Sequence, residues 1–310
     1  MELEIVDKDT YKHVERQASI AFDEVWFHEL NKCKVDTVDY LLFKTNKYKA
    51  GLIIGIDKGI IKVPYSAPFG TFEFFESCTM EQIDDILKCF NEYAVAHKIS
   101  KIYLKLPPVF YDEPNISKLV NALIRDGYQI YSMDLDYYFP ITDMEKYNLS
   151  LHRNARKCLK NALKHEYRLR HCEKEEDKYA AYKIIEKSRK SKNYYLSMTW
   201  EQVKDTIAYI SHDLFILDID EEEVASAIVF KVTDNINQVI YWGDLPGFAD
   251  KRPMNLLAYT IYEYYWHLGL GFLDIGPSTM NGIPNYGLCD FKESIGCTTS
   301  NKFIFCKEIK

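Results

Sequence analysis

The stretch Leu256-Leu257-Ala258-Tyr259-Thr260-Ile261-Tyr262-Glu263-Tyr264-Tyr265-Trp266-His267-Leu268-Gly269-Leu270-Gly271-Phe272-Leu273-Asp274-Ile275-Gly276-Pro277 decides the fold. Leu257, Ile261, Tyr264 and Leu268 recur every three or four residues and form the apolar stripe of a helix, and 272–275 then reads as a short strand. The run from Leu256 to Leu273 is the longest apolar stretch of the chain, but Glu263 and His267 interrupt it. It reads as a buried helix followed by a strand, not as a membrane span. Slid back by 170 residues, the stretch meets its own counterpart: Leu256 falls on Ile86, Leu257 on Leu87, His267 on His97, Leu273 on Tyr103 and Pro277 on Pro107. An offset of 176 lays residues 226–230 over 50–54. Apolar register and element order agree in both halves, so the chain carries two copies of one α/β unit.

Outward from that stretch, each half shows the same order. In the first, 10–31 has helical character, 38–44, 50–56 and 59–63 read as three strands, and a helix starts at Thr79, which with Gln82 forms a capping box. A short strand at 101–106, a helix marked by Ile116, Leu119, Val120, Leu123 and Ile124 with Gly127 after its end, and a strand at 128–139 complete it. In the second, helices are expected at 175–190 and 199–211, strands at 214–219, 224–232 and 238–242, then the quoted helix and strand, a Gly/Pro/Asn-rich loop and a final strand at 302–306.

The 310 residues suffice for two domains, expected at 1–145 and 146–310. A hydrophobic fraction of 47% excludes a disordered chain, and a net charge of −7 argues against a protein that coats nucleic acid. The 24 Tyr and 17 Phe, against 4 Trp, belong at core edges or along a cleft. The start, Met1-Glu2-Leu3-Glu4, has neither the cationic nor the apolar region of a signal peptide, and the eight Cys form no CxxC pair. Reduced thiols in a cytoplasm are therefore expected. Eight scattered His without HxxxH or HExxH spacing give no reason to expect a metal.

Four clusters carry candidate chemistry. Residues 151–171 hold seven Lys/Arg and one acid, Glu166. Arg156, Lys160 and Lys164 share one helical face, and Ala155, Leu159, Ala162 and Leu163 another. This helix is either a solvated connector between the halves or the carrier of a guanidinium pair, Arg153 and Arg156, for a phosphate or carboxylate. Tyr241-Trp242-Gly243-Asp244 leads into a loop with Gly247, Lys251 and Arg252, and Pro253 and Asn255 fit a helix start. Lys251 and Arg252 either meet an anion or face solvent. Asp274 closes a strand before Gly276, where α/β proteins place reactive groups. It either takes a proton from an attacking amine or caps the next loop, whose Ser278 and Asn285 suit substrate contact. Lys292 either steadies negative charge on a carbonyl oxygen or is a plain surface lysine.

The order Arg-x-x-Arg (Arg153, Arg156), Asp-x-Gly before a serine (Asp274, Gly276, Ser278) and Phe-Lys-x-x-x-Gly (Phe291, Lys292, Gly296) resembles the FemAB-like acyltransferases, a tandem-domain branch of the GNAT superfamily. The resemblance implies an α/β fold with a mixed sheet, two tandem GNAT-like domains joined by the basic helix, the first a scaffold and cleft wall and the second the active one. It also implies two strands splayed at their C-terminal ends, a thioester donor in the gap, and the donor's diphosphate on the N–H groups of the next helix. It carries over Arg153 and Arg156 as anion contacts, and Asp274, Ser278 and Lys292 as cleft residues. Asp274 and Lys292 are then the expected catalytic pair, with Tyr241, Asp244 and Asn285 beside the substrate and Gly247, Lys251, Arg252 and Asn255 beside the donor. The expected reaction moves an acyl group from acyl-CoA or another acyl thioester to an amine, such as an amino sugar or cell-envelope precursor. Two departures stand out. No segment is long enough for the helical arm of Fem-type ligases, and the Gly247 loop lacks the Arg/Gln-x-x-Gly-x-Gly/Ala pattern of a diphosphate loop. They leave open an armless aminoacyl-tRNA-dependent ligase, with RNA as partner, and a degenerate tandem GNAT that only binds a ligand or partner.

Overall fold

Runs of consecutive buried residues in the central strands dictate a sheet covered by helices on both faces, and the chain builds two such units. The computed structural model describes residues 1–15 and 17–309. Unit 1 is Met1–Leu135 with Ser300–Lys310, and unit 2 is Asp136–Thr299. The division falls within the strand Gln129–Pro140, earlier than the expected 145/146, and Ser300–Lys310 belong to unit 1 because the last strand pairs back into its sheet.

In unit 1, β1 (Glu2–Val6), β2 (Thr37–Lys44), β3 (Tyr48–Asp57) and β4 (Ile60–Val63) form an antiparallel run, with β5 (Glu73–Phe74) also on β3. β6 (Lys101–Lys105) lies parallel to β4, and the C-terminal strand β15 (Thr298–Glu308) antiparallel to β6. Leu41, Phe43, Leu52 and Ile54 face a core shared with Ile83, Leu87 and Phe90 of α3 (Met80–Ala96) and Leu119 and Leu123 of α4 (Glu113–Arg125). Residues one step along, Tyr40, Leu42 and Ile53, face α1 (Lys8–Glu15) and α2 (Val25–Asn31) through Tyr11 and Val25. The expected capping box forms, with the Gln82 N–H on Thr79 Oγ1 at 3.2 Å and the Thr79 N–H on Gln82 Oε1 at 2.9 Å. Gly127, at φ 85°, ends α4 in the left-handed conformation that favours glycine.

The helical reading of 10–31 is corrected to two short helices. Between them Ser19 donates from its N–H and hydroxyl to Glu73 Oε2 (3.0 and 2.7 Å), and the Thr71 N–H donates to Asp23 (3.2 Å), so the connecting chain is tied to the sheet.

In unit 2, the end of β7 (Gln129–Pro140) is followed by α5 (Met144–Ser150), α6 (Arg153–Ala162), β8 (Tyr167–His171), α7 (Glu175–Ser191) and α8 (Trp200–Ile207). Then come β9 (His212–Ile219), β10 (Glu222–Lys231), β11 (Ile236–Asp244), α9 (Pro253–His267), β12 (Phe272–Pro277), the hairpin β13 (Thr279–Met280) and β14 (Ile283–Pro284), and α10 (Tyr286–Ser294). The strand order is β7-β12-β11-β10-β9-β8, parallel only between β11 and β12. The meander β9-β10-β11, helix α9 and strand β12 repeat β2-β3-β4, α3 and β6 of unit 1. Ile86 and Leu87 of α3, and Leu256 and Leu257 of α9, are all buried. The basic helix α6 forms with Ala155, Leu159 and Ala162 buried, but it lies inside unit 2, and the chain passes from unit 1 to unit 2 within β7.

The copies differ in their parallel pair. In unit 1 the parallel pair is joined from Ile60↔Lys101 to Val63↔Leu104, the whole length of β4. In unit 2 the pairing runs only from Ile236↔Phe272 to Gln238↔Asp274, although β11 continues to Asp244 and β12 to Pro277. The two strands diverge beyond that rung.

Unit 1 also buries three carboxyls, Glu15, Asp23 and Glu73. Burial pushes the Glu15 carboxyl up to about 8, and the charges of Glu73 and Glu24 push it the same way. A carboxyl raised in the folded state favours folding most below its unfolded value of 4.5 and loses that contribution as pH rises through about 8. Denaturant unfolding of the full chain should therefore show stability falling between these pH values, by up to a few kcal/mol, since a tenfold change in proton affinity is worth about 1.4 kcal/mol. Glu15→Gln should flatten the slope; an unchanged slope would refute the assignment.

Candidate functional site

Where β11 and β12 diverge, a cavity of about 570 Å³ opens within unit 2. Its walls are Val239, Ile240, Trp242, Gly243 and Asp244 from β11, Ile275, Gly276 and Pro277 from β12, Met254 from the start of α9, Leu288, Phe291 and Lys292 from α10, and Ser188 and Arg189 from α7. The register between β10 and β11 slips from Ile228↔Tyr241 to Val229↔Val239, so Ile240 is an extra residue of β11, bulged beside the cavity.

The divergence is fixed from behind. Asp274 is fully buried at the last paired rung. Gln238 Nε2 donates to Asp274 Oδ2 at 2.7 Å, and the Gly276 N–H donates to Asp274 Oδ1 at 2.6 Å. Gly276 has φ 74°, which turns β12 away from β11. Lys292, also buried, donates from Nζ to the carbonyls of Ile275 (2.8 Å), Gly276 (2.7 Å) and Pro277 (3.3 Å). Burial pulls its ammonium pKa down, and the charges of Asp136 and Asp274 oppose that pull. Asp274 and Lys292 thus hold the open end of β12: one anchors its turn, and the other ties its carbonyls to α10.

The expected site residues separate into two groups. Asp244, Asn285 and Lys292 line the cavity. Asp244 pairs with Lys192, and Asn285 caps α10 by accepting from the Leu288 N–H at 3.2 Å. Tyr241 is buried beneath the wall, hydrogen-bonded to Ser197. Ser278 is buried at the start of the hairpin, its carbonyl accepting from the Asn285 N–H at 2.9 Å. Arg153 and Arg156 are exposed on α6, and Arg156 donates to the Leu151 carbonyl at 3.1 Å, at the C-terminal end of α5. Gly247, Lys251, Arg252 and Asn255 do not line the cavity. Lys251 pairs with Asp220 at 3.0 Å. At the start of α9, Pro253 has no N–H, and that of Asn255 already donates to the Arg252 carbonyl at 3.1 Å. This helix start therefore has few donors left for a diphosphate.

Sequence reading missed Arg189. It sits one residue past the buried stripe Ala181, Ile185 and Ser188 of α7, and nothing in its local pattern sets it apart from the neighbouring lysines. Its guanidinium lies 5.4 Å from the ring centre of Tyr241 and 5.9 Å from that of Tyr194. Burial lowers its pKa, and among the described residues no carboxylate pairs with it. A half-buried guanidinium stacked on aromatic rings beside a cavity is suited to a ligand's carboxylate or phosphate. Among the described residues no group of three His, Cys, Asp or Glu is placed to hold a metal ion.

α7 reaches the cavity because Gly243 lets it approach: a Cβ there would lie 2.4 Å from Ser188 Oγ. Gly243→Ala should cost roughly 1–3 kcal/mol by overpacking. Measured by denaturant unfolding, most of that loss should disappear in the Ser188→Gly background. Additive costs of the two changes would show that this contact is not what sets the approach.

No protein-family profile matches the sequence, and no curated protein matches it. The fold has solved counterparts. FemX superposes with a TM-score of 0.72 at 13% identity over 99% of this chain and 97% of its own. The C-terminal domain of a putative lysylphosphatidylglycerol synthetase from Agrobacterium fabrum gives 0.62 at 12% identity, over 97% and 92%. A tandem GNAT protein from the clavulanic acid biosynthesis pathway gives 0.54 at 12% identity, over 100% and 99%. The chain has the tandem GNAT fold of the FemAB-like proteins.

Proposed function

We propose that unit 2 transfers an acyl group from a thioester donor to an amine in the cleft between β11 and β12. The observation that carries this reading is the divergence beyond Gln238↔Asp274, with a mostly apolar cavity in the gap. Val239, Ile240, Met254, Ile275 and Leu288 suit the acyl chain and the thioester arm. The amine nitrogen attacks the thioester carbon, the C–S bond breaks, and the thiolate leaves and takes up a proton. In this reading an N–H group at the Ile240 bulge receives the carbonyl oxygen as negative charge develops on it.

In this reading Asp274 positions and Asp244 accepts the proton. Both Asp274 oxygens already accept hydrogen bonds from Gln238 and Gly276 in a fully buried setting, whereas Asp244 lines the cavity. Lys292 holds the β12 carbonyls, and Arg189 takes an anionic group of donor or acceptor. The few donors at the start of α9 favour a thioester without a diphosphate, such as one on an acyl carrier protein, over acyl-CoA. The acceptor class follows the FemAB-like resemblance: an amino sugar or cell-envelope precursor.

A second reading, aminoacyl transfer from RNA, rests on α6. Its Arg153, Arg156, Lys160 and exposed neighbour Lys164 make no ion pair among the described residues, which leaves a single-sign face. RNA binding that weakens with salt and drops in the Arg156→Ala, Lys160→Ala, Lys164→Ala triple variant is its expected outcome.

Purified protein should be stabilised against heat by acyl-loaded carrier protein more than by acyl-CoA, and Arg189→Ala should weaken that effect about tenfold or more in half-saturating concentration. With an acceptor in hand, Asp244→Asn should lower kcat by roughly 10²–10⁴-fold. No stabilisation by any thioester would sink the leading reading.

A further inference from the structure

From Ile275 to Cys289 the chain has no Asp, Glu, Lys, Arg or His, although 27% of the whole sequence is charged. At the average for soluble proteins such a stretch would hold about four charges. Its middle is the hairpin β13–β14, which leaves the wall of the unit 2 cavity at Pro277 and returns to it at Asn285. Asn281 (φ 54°) and Gly282 (φ 78°) are both left-handed, the tight two-residue turn that matches the twist of paired strands. Met280 and Ile283 stand directly opposite each other in that ladder, so their side chains share a face. They are 75% and 73% exposed, and Tyr286, at the start of α10, is 74% exposed. The turn thus holds an apolar pair out in solvent at the rim of the cavity.

The end of α7 and the connection to α8 meet the same cavity with the opposite chemistry. Residues 187–200 hold Lys187, Arg189, Lys190 and Lys192 and no acid, in a chain of net charge −7. All three lysines are exposed; Lys192 also pairs with Asp244, and Arg189 keeps its place in the cavity wall. Tyr194 lines the cavity, and Tyr195 beside it is 83% exposed. The first acid after the hairpin is Asp290, one turn of α10 beyond Tyr286.

A protein partner buries a continuous patch with a packed apolar core. Here the apolar side chains stand on separate elements, and a fluid of acyl chains can close around each of them. Aliphatic tips reach below the headgroups, tyrosines rest at headgroup depth, and lysines are drawn to anionic headgroups. The negative charge of the rest of the chain is repelled by such a surface, so the basic segment decides which face arrives. We propose that the hairpin tip Met280–Ile283, with Tyr286 and the basic segment 187–195, docks unit 2 on an anionic lipid surface and brings the mouth of its cavity to the bilayer. The docking goes beyond acyl transfer and holds whether or not that reading does.

The test mixes the full chain with vesicles of phosphatidylglycerol and phosphatidylcholine, or of phosphatidylcholine alone, and measures the bound fraction by flotation, without thioester or acceptor. Binding should need the anionic lipid and weaken with salt. The Met280→Ser, Ile283→Ser double variant should keep the wild-type melting temperature, since both side chains are exposed, and lower the partition coefficient about tenfold or more. Lys187→Gln with Lys190→Gln should lower it by roughly tenfold. Met280→Trp should add an emission, relative to wild type, that shifts to the blue on vesicles and is quenched by brominated acyl chains. Equal partition of the double serine variant, or an added emission that neither shifts nor is quenched, would leave only ionic adherence and overturn the proposal. So would self-association that the serine changes abolish in a chain that ignores vesicles, because a second copy would then cover this face.

Discussion

The cleft of unit 2 depends on one rung of hydrogen bonding. Two parallel strands normally stay joined for as long as both are extended, since each broken rung strands an N–H and a C=O. β11 and β12 part after Gln238↔Asp274, and the groups released there need other partners. Asp274 supplies one by accepting the Gly276 N–H, and Lys292 supplies three by donating to Ile275, Gly276 and Pro277. A buried carboxylate and a buried ammonium are costly to enclose. Their position is explained by the backbone groups they satisfy, and the cavity is the space that this satisfaction keeps open.

An acid and a lysine near a cleft therefore need not be the groups that touch a ligand. Sequence alone left each between chemistry and structure. The geometry gives Asp274 two donors and no exposure, and gives Lys292 three carbonyls. Arg189, Asp244, Trp242, Asn285 and apolar residues share the cavity surface with Lys292.

Much of the fold was legible because it rests on periodicity. The stripes of α3 and α9, the capping box at Thr79, the αL glycine at 127 and the repeat at an offset of 170 are local patterns that tertiary packing reinforced. The break inside 10–31 was not legible, because it depends on Glu73 and Thr71, some fifty residues away, which bind Ser19 and Asp23. Arg189 was hidden for a related reason. Its place beside the cavity comes from stacking on Tyr241 and from Gly243 admitting α7, and neither is visible within its own helix. The pairing of β15 with β6 joins residues some two hundred apart in the chain, so a boundary drawn by sequence order missed the return to unit 1.

The two copies show what opening requires. At the offset of 170, Leu104 stands where Asp274 stands, and it pairs with Val63 as Asp274 pairs with Gln238. Both Val63 and Leu104 are buried and apolar, so their side chains offer no donor or acceptor to backbone groups that a parting of the strands would release. In unit 1, β4 stays joined to β6 along its length. In unit 2 the same rung holds a polar pair, with a glycine two residues on and a lysine reaching back from α10. The two copies thus differ in the side chains at the end of one parallel pair, while the order of these elements agrees.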